Sequence, residues 1–466
     1  MPAHLDRLSS VDASFLHAED TSPSAHMHIG GLAIFEGPGP SGPELRAHVA
    51  SRLPLLPRFR QRLVPAPFGT GRPVWADDPS FSLSYHVRHS ALPSPGTEEQ
   101  LLTFVSRIAS QRLDRSKPLW EMYLVEGLEG GRIAVVTKTH HAMVDGVSAV
   151  DIGSVILDLT PTPRETPASD WDPAPEPSAA NLLVDAVADW VRRPVAMAES
   201  VRANIADAKA TAAKVGATLG GIAAALRVQA RPAPASPLNI DIGEQRRFGI
   251  ASTDLDDYKR VRKAHGGTVN DVVLATVAGA LRAWLLTRGE PVTPASTLRA
   301  MVPVSVRTEA QQGSGGNHVS SYFVDLPVGE PSAVMRLHQI SYAMRAHKES
   351  GQSVAADAIV AMAGFAPPNL HALGARLGSG LSRRLFNVVV TNVPGPQFPL
   401  YAAGAKMLAM YPVVPLSKGQ GVSIGLTSYD GGVYYGLNAD RDAMSDVDVL
   451  ASCIEDGLAE LVSTVD

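Results

Sequence analysis

Two periodicities alternate along the chain. Residues 27–36 (MHIGGLAIFE) and 132–141 (RIAVVTKTHH) are short, apolar and rich in β-branched side chains, which predicts strands. Between them, TEEQLLTFVSRIASQRL (97–113) repeats its apolar positions at helical spacing behind a capping residue, Thr97. A second helix is predicted from about Val147, with Ile152, Val155, Ile156 and Leu159 on one face. The pattern then recurs. Thr268 and Asp271 form a capping box before a helix whose Val269, Val272, Val273, Val277, Ala280, Leu281 and Trp284 share a face. Strands follow at 298–307, 317–327 and 386–393, and residues 421–439 predict a hairpin around an Asp-Gly turn.

A seam divides these two mixed halves. Residues 161–177 (PTPRETPASDWDPAPEP) hold too many prolines for a regular element. An alanine-rich, mixed-charge helical segment follows over about 181–228, and RPAPASP (231–237) closes it. It reads either as a solvated linker helix or as an interfacial helix that touches lipid. The expected organisation is therefore an N-terminal half (1–160), a linker segment (161–237) and a C-terminal half (238–466). A length of 466 residues agrees with more than one core.

Composition narrows the function. With 41 basic and 46 acidic side chains the net charge is -5, which argues against a nucleic-acid partner. The single cysteine, Cys453, excludes an internal disulfide framework. The first twenty residues carry charges throughout, no stretch reads as a bilayer span, and mean hydropathy is +0.03, so a cytoplasmic location is expected.

The sharpest chemical feature is His140-His141-Ala142-Met143-Val144-Asp145-Gly146 at the end of an apolar strand. Neighbouring side chains on a strand point to opposite faces, so one histidine can face a cavity and the other the far side. Neutral imidazole accepts a proton near physiological pH, which suits a general base. A buried histidine pair beside an Asp-Gly turn is the plainer reading of the same residues.

HHAMVDG resembles the HHxxxDG signature of the coenzyme-A-dependent acyltransferases. The stretches LSSVDASFLHAED, MHIGGLAIFEG, RLDRSKPLWEMYLVEGL, TVNDVVLA, VPVSVR, GNHVS and TNVPGP extend the likeness over nearly the whole chain. Together they resemble the bacterial wax ester synthase/acyl-CoA:diacylglycerol acyltransferases. The resemblance implies a two-domain α/β fold of the chloramphenicol acetyltransferase type, with mixed sheets and an active-site channel between the halves. It implies that His141 is the base, with His140, Asp145 and Gly146 completing the signature, and that Asp145 pairs structurally with Arg307. Asn270 is the candidate site residue of the second half, as an amide donor or as a local helix cap beside Asp271. Pro118, Leu119 and Trp120 are expected to shape the substrate pocket. The implied partners are acyl-CoA, as substrate and not cofactor, and a diacylglycerol or long-chain alcohol. No cofactor and no metal are expected.

A lipid substrate without a membrane span points to peripheral contact with a membrane or lipid-droplet surface. The alanine-rich segment and the uncharged loop after Pro394, with Phe398, Leu400 and Tyr401, are the candidate contacts. Two other readings stay open: an acyltransferase using a carrier-protein thioester, and a lipid-binding protein of this fold without turnover. GVSIG (421–425) matches a hydrolase serine pattern but falls in a predicted strand, with no histidine after it, and is set aside. Cys453 belongs to the apolar face of a C-terminal helix.

Overall fold

The computed structural model describes residues 6–67, 71–143, 155–166, 171–184, 232–305, 319–350, 354–355 and 385–465. In the first half these form α1 (Ser10–Thr21), β1 (His28–Phe35), α2 (Gly42–Arg52), β2 (Gln61–Val64), β3 (Val74–Asp77), α3 (Leu83–His86), β4 (Val87–Ala91), α4 (Glu98–Ser110), β5 (Trp120–Glu126) and β6 (Ile133–His140). The second half supplies β7 (Arg246–Asp254), α5 (Leu255–His265), α6 (Val269–Thr287), β8 (Leu298–Ser305), β9 (Val319–Leu326), α7 (Ala333–Ser350), β10 (Val354–Ala355), β11 (Val388–Pro394), β12 (Tyr401–Ala402), β13 (Ala405–Val413), β14 (Val422–Tyr429), β15 (Gly432–Asp440) and α8 (Val447–Val462).

The strands make two large mixed sheets. One has the order β12-β13-β1-β6-β5-β4, the other β10-β9-β8-β11-β14-β15-β7. Parallel pairing is confined to β4–β5 in the first and to β11 with β8 and β14 in the second. The first sheet is thus completed by two strands from beyond residue 400, so sheets and chain halves do not coincide. The patterns that mark β1, β6, β8, β9, β11 and the β14–β15 hairpin do not say which neighbour each strand pairs with, and the remaining strands are not read from the sequence.

Local signals act as read. Thr97 and Gln100 exchange the reciprocal bonds of a capping box at α4, and Thr268 and Asp271 do so at α6. The β14–β15 register closes Tyr429 onto Gly432. Asp430 and Gly431 then occupy positive φ of 44° and 88°, the backbone that a two-residue hairpin turn requires. Cys453 is buried in the second-half core with Leu450, Ile454 and Leu458. Ser423 is buried in β14, where its hydroxyl donates to the Val414 carbonyl at 2.8 Å, far from any nucleophile elbow.

Two expectations change. Leu159 is not on the apolar face of a helix: helical structure ends at Ile156, Asp158 bridges Tyr401, and Leu159 is 69% exposed. One described helix, α6, is long and apolar enough to cross a membrane, where the sequence reading counted none. Its Val272, Val273, Leu274, Val277, Leu281 and Trp284 are fully or almost fully buried, which accounts for the apolarity as core packing.

The two halves are stitched at an edge. The amides of Arg246 and Phe248 on the outer strand β7 donate to the hydroxyls of Ser110 and Ser106 on α4, at 2.8 and 2.9 Å. Those bonds satisfy a strand edge that would otherwise present open amides. The seam is anchored as well: Trp171 lies under the Arg60 guanidinium at 4.5 Å, and Arg62 pairs with Glu176 at 2.7 Å. The alanine-rich segment beyond residue 184 lies outside the described residues.

Candidate active site

β6 is a central strand, buried along its whole length and flanked by β1 and β5. Its last residue, His140, is fully buried and sits opposite His28 of β1. The Ala142 amide donates to His140 Nδ1 at 3.0 Å. A neutral ring that accepts at Nδ1 carries its proton on Nε2, and Nε2 lies 3.5 Å from a Glu19 carboxylate oxygen. The other Glu19 oxygen accepts the Met27 amide at 2.9 Å and lies 3.2 Å from His28 Nε2. Arg115 donates to the Glu19 carboxylate at 2.9 Å.

Electrostatics follow from this cluster. Burial opposes ionisation of Glu19, yet the histidines His140 and His28 outweigh it and hold the carboxyl far below its ordinary range. Burial pushes His28 down to about 3, against the pull of Glu19, so it stays neutral. The Nδ1 lone pair of His140 is thus taken up by the Ala142 amide, and its Nε2 is buried beside Glu19, away from any open space for chemistry.

His141 is placed differently. Its amide donates to the Met27 carbonyl at 2.8 Å, which continues the β1–β6 ladder one residue past the strand. Its ring is partly exposed and stacks on Phe15 with centroids 4.0 Å apart. Phe15 and Glu19 are four residues apart on α1, so one helix face touches both histidines. Burial pushes the His141 pKa down to about 4, with contact to its own main-chain carbonyl acting the other way. The ring is accordingly neutral, and competent to take a proton, across the physiological range.

Of the other predicted residues, Leu119 and Trp120 are completely buried. The Leu119 carbonyl accepts the His140 amide at 2.9 Å, Trp120 pairs with Thr139, and the indole donates to the Phe59 carbonyl at 2.8 Å. His86 stacks on Trp120 at 4.6 Å. The Pro118-Leu119-Trp120 stretch thus braces the histidine strand from the core. Asn270 leaves capping of α6 to Thr268 and Asp271, and its Oδ1 accepts from Asn392 Nδ2 at 3.2 Å. That pair joins TVND to TNVPGP within the second half. Asp145, Gly146 and Arg307 lie outside the described residues.

Four residues had no assigned role in the sequence reading: Phe15, Glu19, His28 and Asn392. The signal was present in His-Ala-Glu-Asp (17–20) and Met-His-Ile (27–29), but an acidic residue in a charged helix reads as solvated until its buried partners are known.

The two faces of the β1–β6 pair carry different cavities. On the His140 side, His28, Lys138, Arg246 and Asn438 join Val105, Ile108 and Val136 around a space of about 20 Å³, mainly apolar with charged groups at its wall. On the other, Gly31, Ala33, Phe35, Val135, Met407 and Met410 enclose an apolar space of about 30 Å³, closed by Ile156 and Leu157. β6 ends at His140, and His141 opens a short 3-10 turn (His141–Met143) with its ring against Phe15.

Two mixed sheets, with a neutral histidine at the end of a central strand beside a buried His–Glu cluster, form the arrangement expected of an acyltransferase with this signature. The comparisons make this specific. Residues 8–273 match the wax ester synthase/diacylglycerol acyltransferase catalytic domain, and residues 315–462 the C-terminal domain of the same family. The probable diacylglycerol O-acyltransferase tgs1 of Mycobacterium tuberculosis is 35% identical over 98% of this chain and 96% of its own length. The structure of the wax ester synthase/diacylglycerol acyltransferase from Marinobacter aquaeolei VT8 superimposes with a TM-score of 0.69 at 31% identity, covering 98% of this chain and 99% of that one. The starter condensation domain of rhizomide synthetase shares the fold, with a TM-score of 0.57 at 14% identity over 99% of this chain and 94% of that one. The chain belongs to the wax ester synthase/diacylglycerol acyltransferase family and is an acyltransferase, as its motifs implied.

Proposed function

We propose that this enzyme moves a long-chain acyl group from acyl-CoA to the free hydroxyl of a diacylglycerol, giving triacylglycerol, and accepts long-chain alcohols as a second substrate. The observation that carries the reading is the division of labour within the histidine pair. His140 is buried in the Glu19 cluster, whereas His141 presents a neutral, partly exposed ring against Phe15 just past the strand end. His141 removes the proton of the acceptor hydroxyl, and the oxygen attacks the thioester carbonyl carbon. The tetrahedral oxyanion then expels the CoA thiolate, which takes the proton back from His141. No covalent enzyme intermediate and no cofactor enter the cycle.

The apolar cavity receives the far end of the acyl chain. With Asn270 Oδ1 occupied by Asn392, the Asn270 amide N–H groups remain as donors for a substrate carbonyl. The water-insoluble acceptor is met at a membrane or lipid-droplet surface, through the loop after Pro394. Val393 and Phe398 expose 59% and 49% of their surface there, and a net charge of -5 leaves apolar contact as the stronger attraction.

Purified protein incubated with labelled palmitoyl-CoA and either diolein or hexadecanol tests the reading. Label is expected in triacylglycerol, with a smaller yield of wax ester. Folded protein that labels neither lipid contradicts it.

A further inference from the structure

The roof of the apolar cavity is tied down from behind by a buried ion pair. Asp158 and Arg52, the last residue of α2, are 4% and 1% exposed. Arg52 grips both carboxylate oxygens at 2.9 and 3.0 Å and donates to the Arg164 carbonyl at 2.8 Å. The Arg164 amide donates to the same carboxylate at 3.3 Å, and the Arg164 guanidinium donates to the Val155 carbonyl at 2.8 Å. His48 Nε2 lies 2.7 Å from the Ile156 carbonyl and 3.7 Å from the Asp158 carboxylate. Asp158 also exchanges both main-chain bonds with Tyr401, at 2.7 and 2.9 Å.

All of these ties fall on residues 155–164. Two apolar side chains inside that span, Ile156 and Leu157, line the cavity opposite Gly31, Phe35 and Met410. A buried ion pair adds little net stability over an apolar pair of similar volume, so the use of this one lies in position. We propose that Asp158, gripped by Arg52, is a positioning residue that fixes the Ile156–Leu157 wall and so sets how much the enzyme gains from the end of a long acyl chain. The inference rests on the acyl-transfer reading above.

A wall that is free to shift admits water, and methylenes bound against it lose their dry surroundings. Each lost methylene weakens binding about fourfold, and a space of about 30 Å³ holds one or two such groups. The experiment compares kcat/KM for palmitoyl-CoA and hexanoyl-CoA, with one acceptor, in wild type, Asp158→Asn and Arg52→Lys. In Asp158→Asn the palmitoyl-to-hexanoyl ratio is expected to fall about 4- to 15-fold, through KM, with hexanoyl turnover within about twofold of wild type. Arg52→Lys keeps the charge but has no second nitrogen to hold the Arg164 carbonyl together with the Asp158 carboxylate, so it shifts the ratio in the same direction by about two- to fourfold and serves if the first variant does not fold. Equal loss for both chain lengths, or an unchanged ratio in a folded variant, overturns the role of the pair. A wild-type protein that transfers neither acyl group overturns the acyl-transfer reading, and this inference with it.

Discussion

Glu19→Gln isolates what the buried cluster contributes. The carboxylate accepts from the Met27 amide and Arg115, and His28 Nε2 and His140 Nε2 lie beside it at 3.2 and 3.5 Å, two groups to each oxygen. Glutamine has nearly the same shape but only one acceptor oxygen. Whichever way the amide turns, its NH2 group confronts donors on one side. Leaving one or two buried donors unpaired costs about 1–3 kcal/mol each, so a loss of about 1–6 kcal/mol is expected. Arg115 is partly exposed and recovers some of its share from water, which favours the lower part of that range. The same change frees His140, and with it the main-chain turn that aims His141. A displacement of about 1 Å at the base lowers kcat about 100-fold while leaving KM nearly fixed. Thermal unfolding followed by circular dichroism gives the first quantity, and steady-state kinetics with palmitoyl-CoA give the second. A variant with wild-type melting temperature and wild-type kcat refutes the reasoning. Arg115→Ala, which removes only the outer partner, is expected to do much less on both measures.

Acidification acts through the same residues. His28 is held neutral down to about 3 when folded and titrates near 6.5 when unfolded, so the unfolded chain binds the extra proton. Stability is fully present above pH 6.5 and falls by about 1.4 kcal/mol per pH unit below it, with His141 adding in the same direction and Glu19 joining below about 4.5. Urea midpoints measured from pH 7.5 to 5 are expected to decline from about pH 6.5, and a flat profile contradicts the burial argument. The glycines of β1 differ sharply. A Cβ on Gly31 meets only ordinary contacts, Met410 Cε among them at 3.9 Å, whereas a Cβ on Gly30 lies 2.0 Å from the Thr137 carbonyl oxygen. Gly31→Ala is therefore expected to fold normally and shift acyl preference toward shorter chains, and Gly30→Ala to cost soluble protein; the reverse order, seen in expression yield and chain-length kinetics, opposes the cavity assignment.

Local chemistry made much of the architecture legible. Thr97 and Thr268 cap the helices they announce, Asp430-Gly431 sets the hairpin register, and His140-His141 end the strand that carries them. Pairing across distance was not legible. β13 crosses back to lie beside β1, because an alternating pattern fixes which face is buried and not which strand is adjacent. Glu19 belongs to a helix whose charges read as solvated, and only the fold brings it under His140 from more than a hundred residues away. Trp120 is likewise placed by the fold: its indole N–H finds a partner in the Phe59 carbonyl, a contact that no local pattern announces.

The central claim is that His141 supplies the base and His140 the scaffold. The most direct measurement is turnover of labelled palmitoyl-CoA with diolein by His141→Ala, at a protein concentration where wild type is linear and with the melting temperature of each recorded. The account predicts a loss of about 100- to 10,000-fold in kcat with the fold intact, and for His140→Ala a loss accompanied by a lower melting temperature. A folded His141→Ala enzyme that keeps more than about a tenth of wild-type turnover contradicts it.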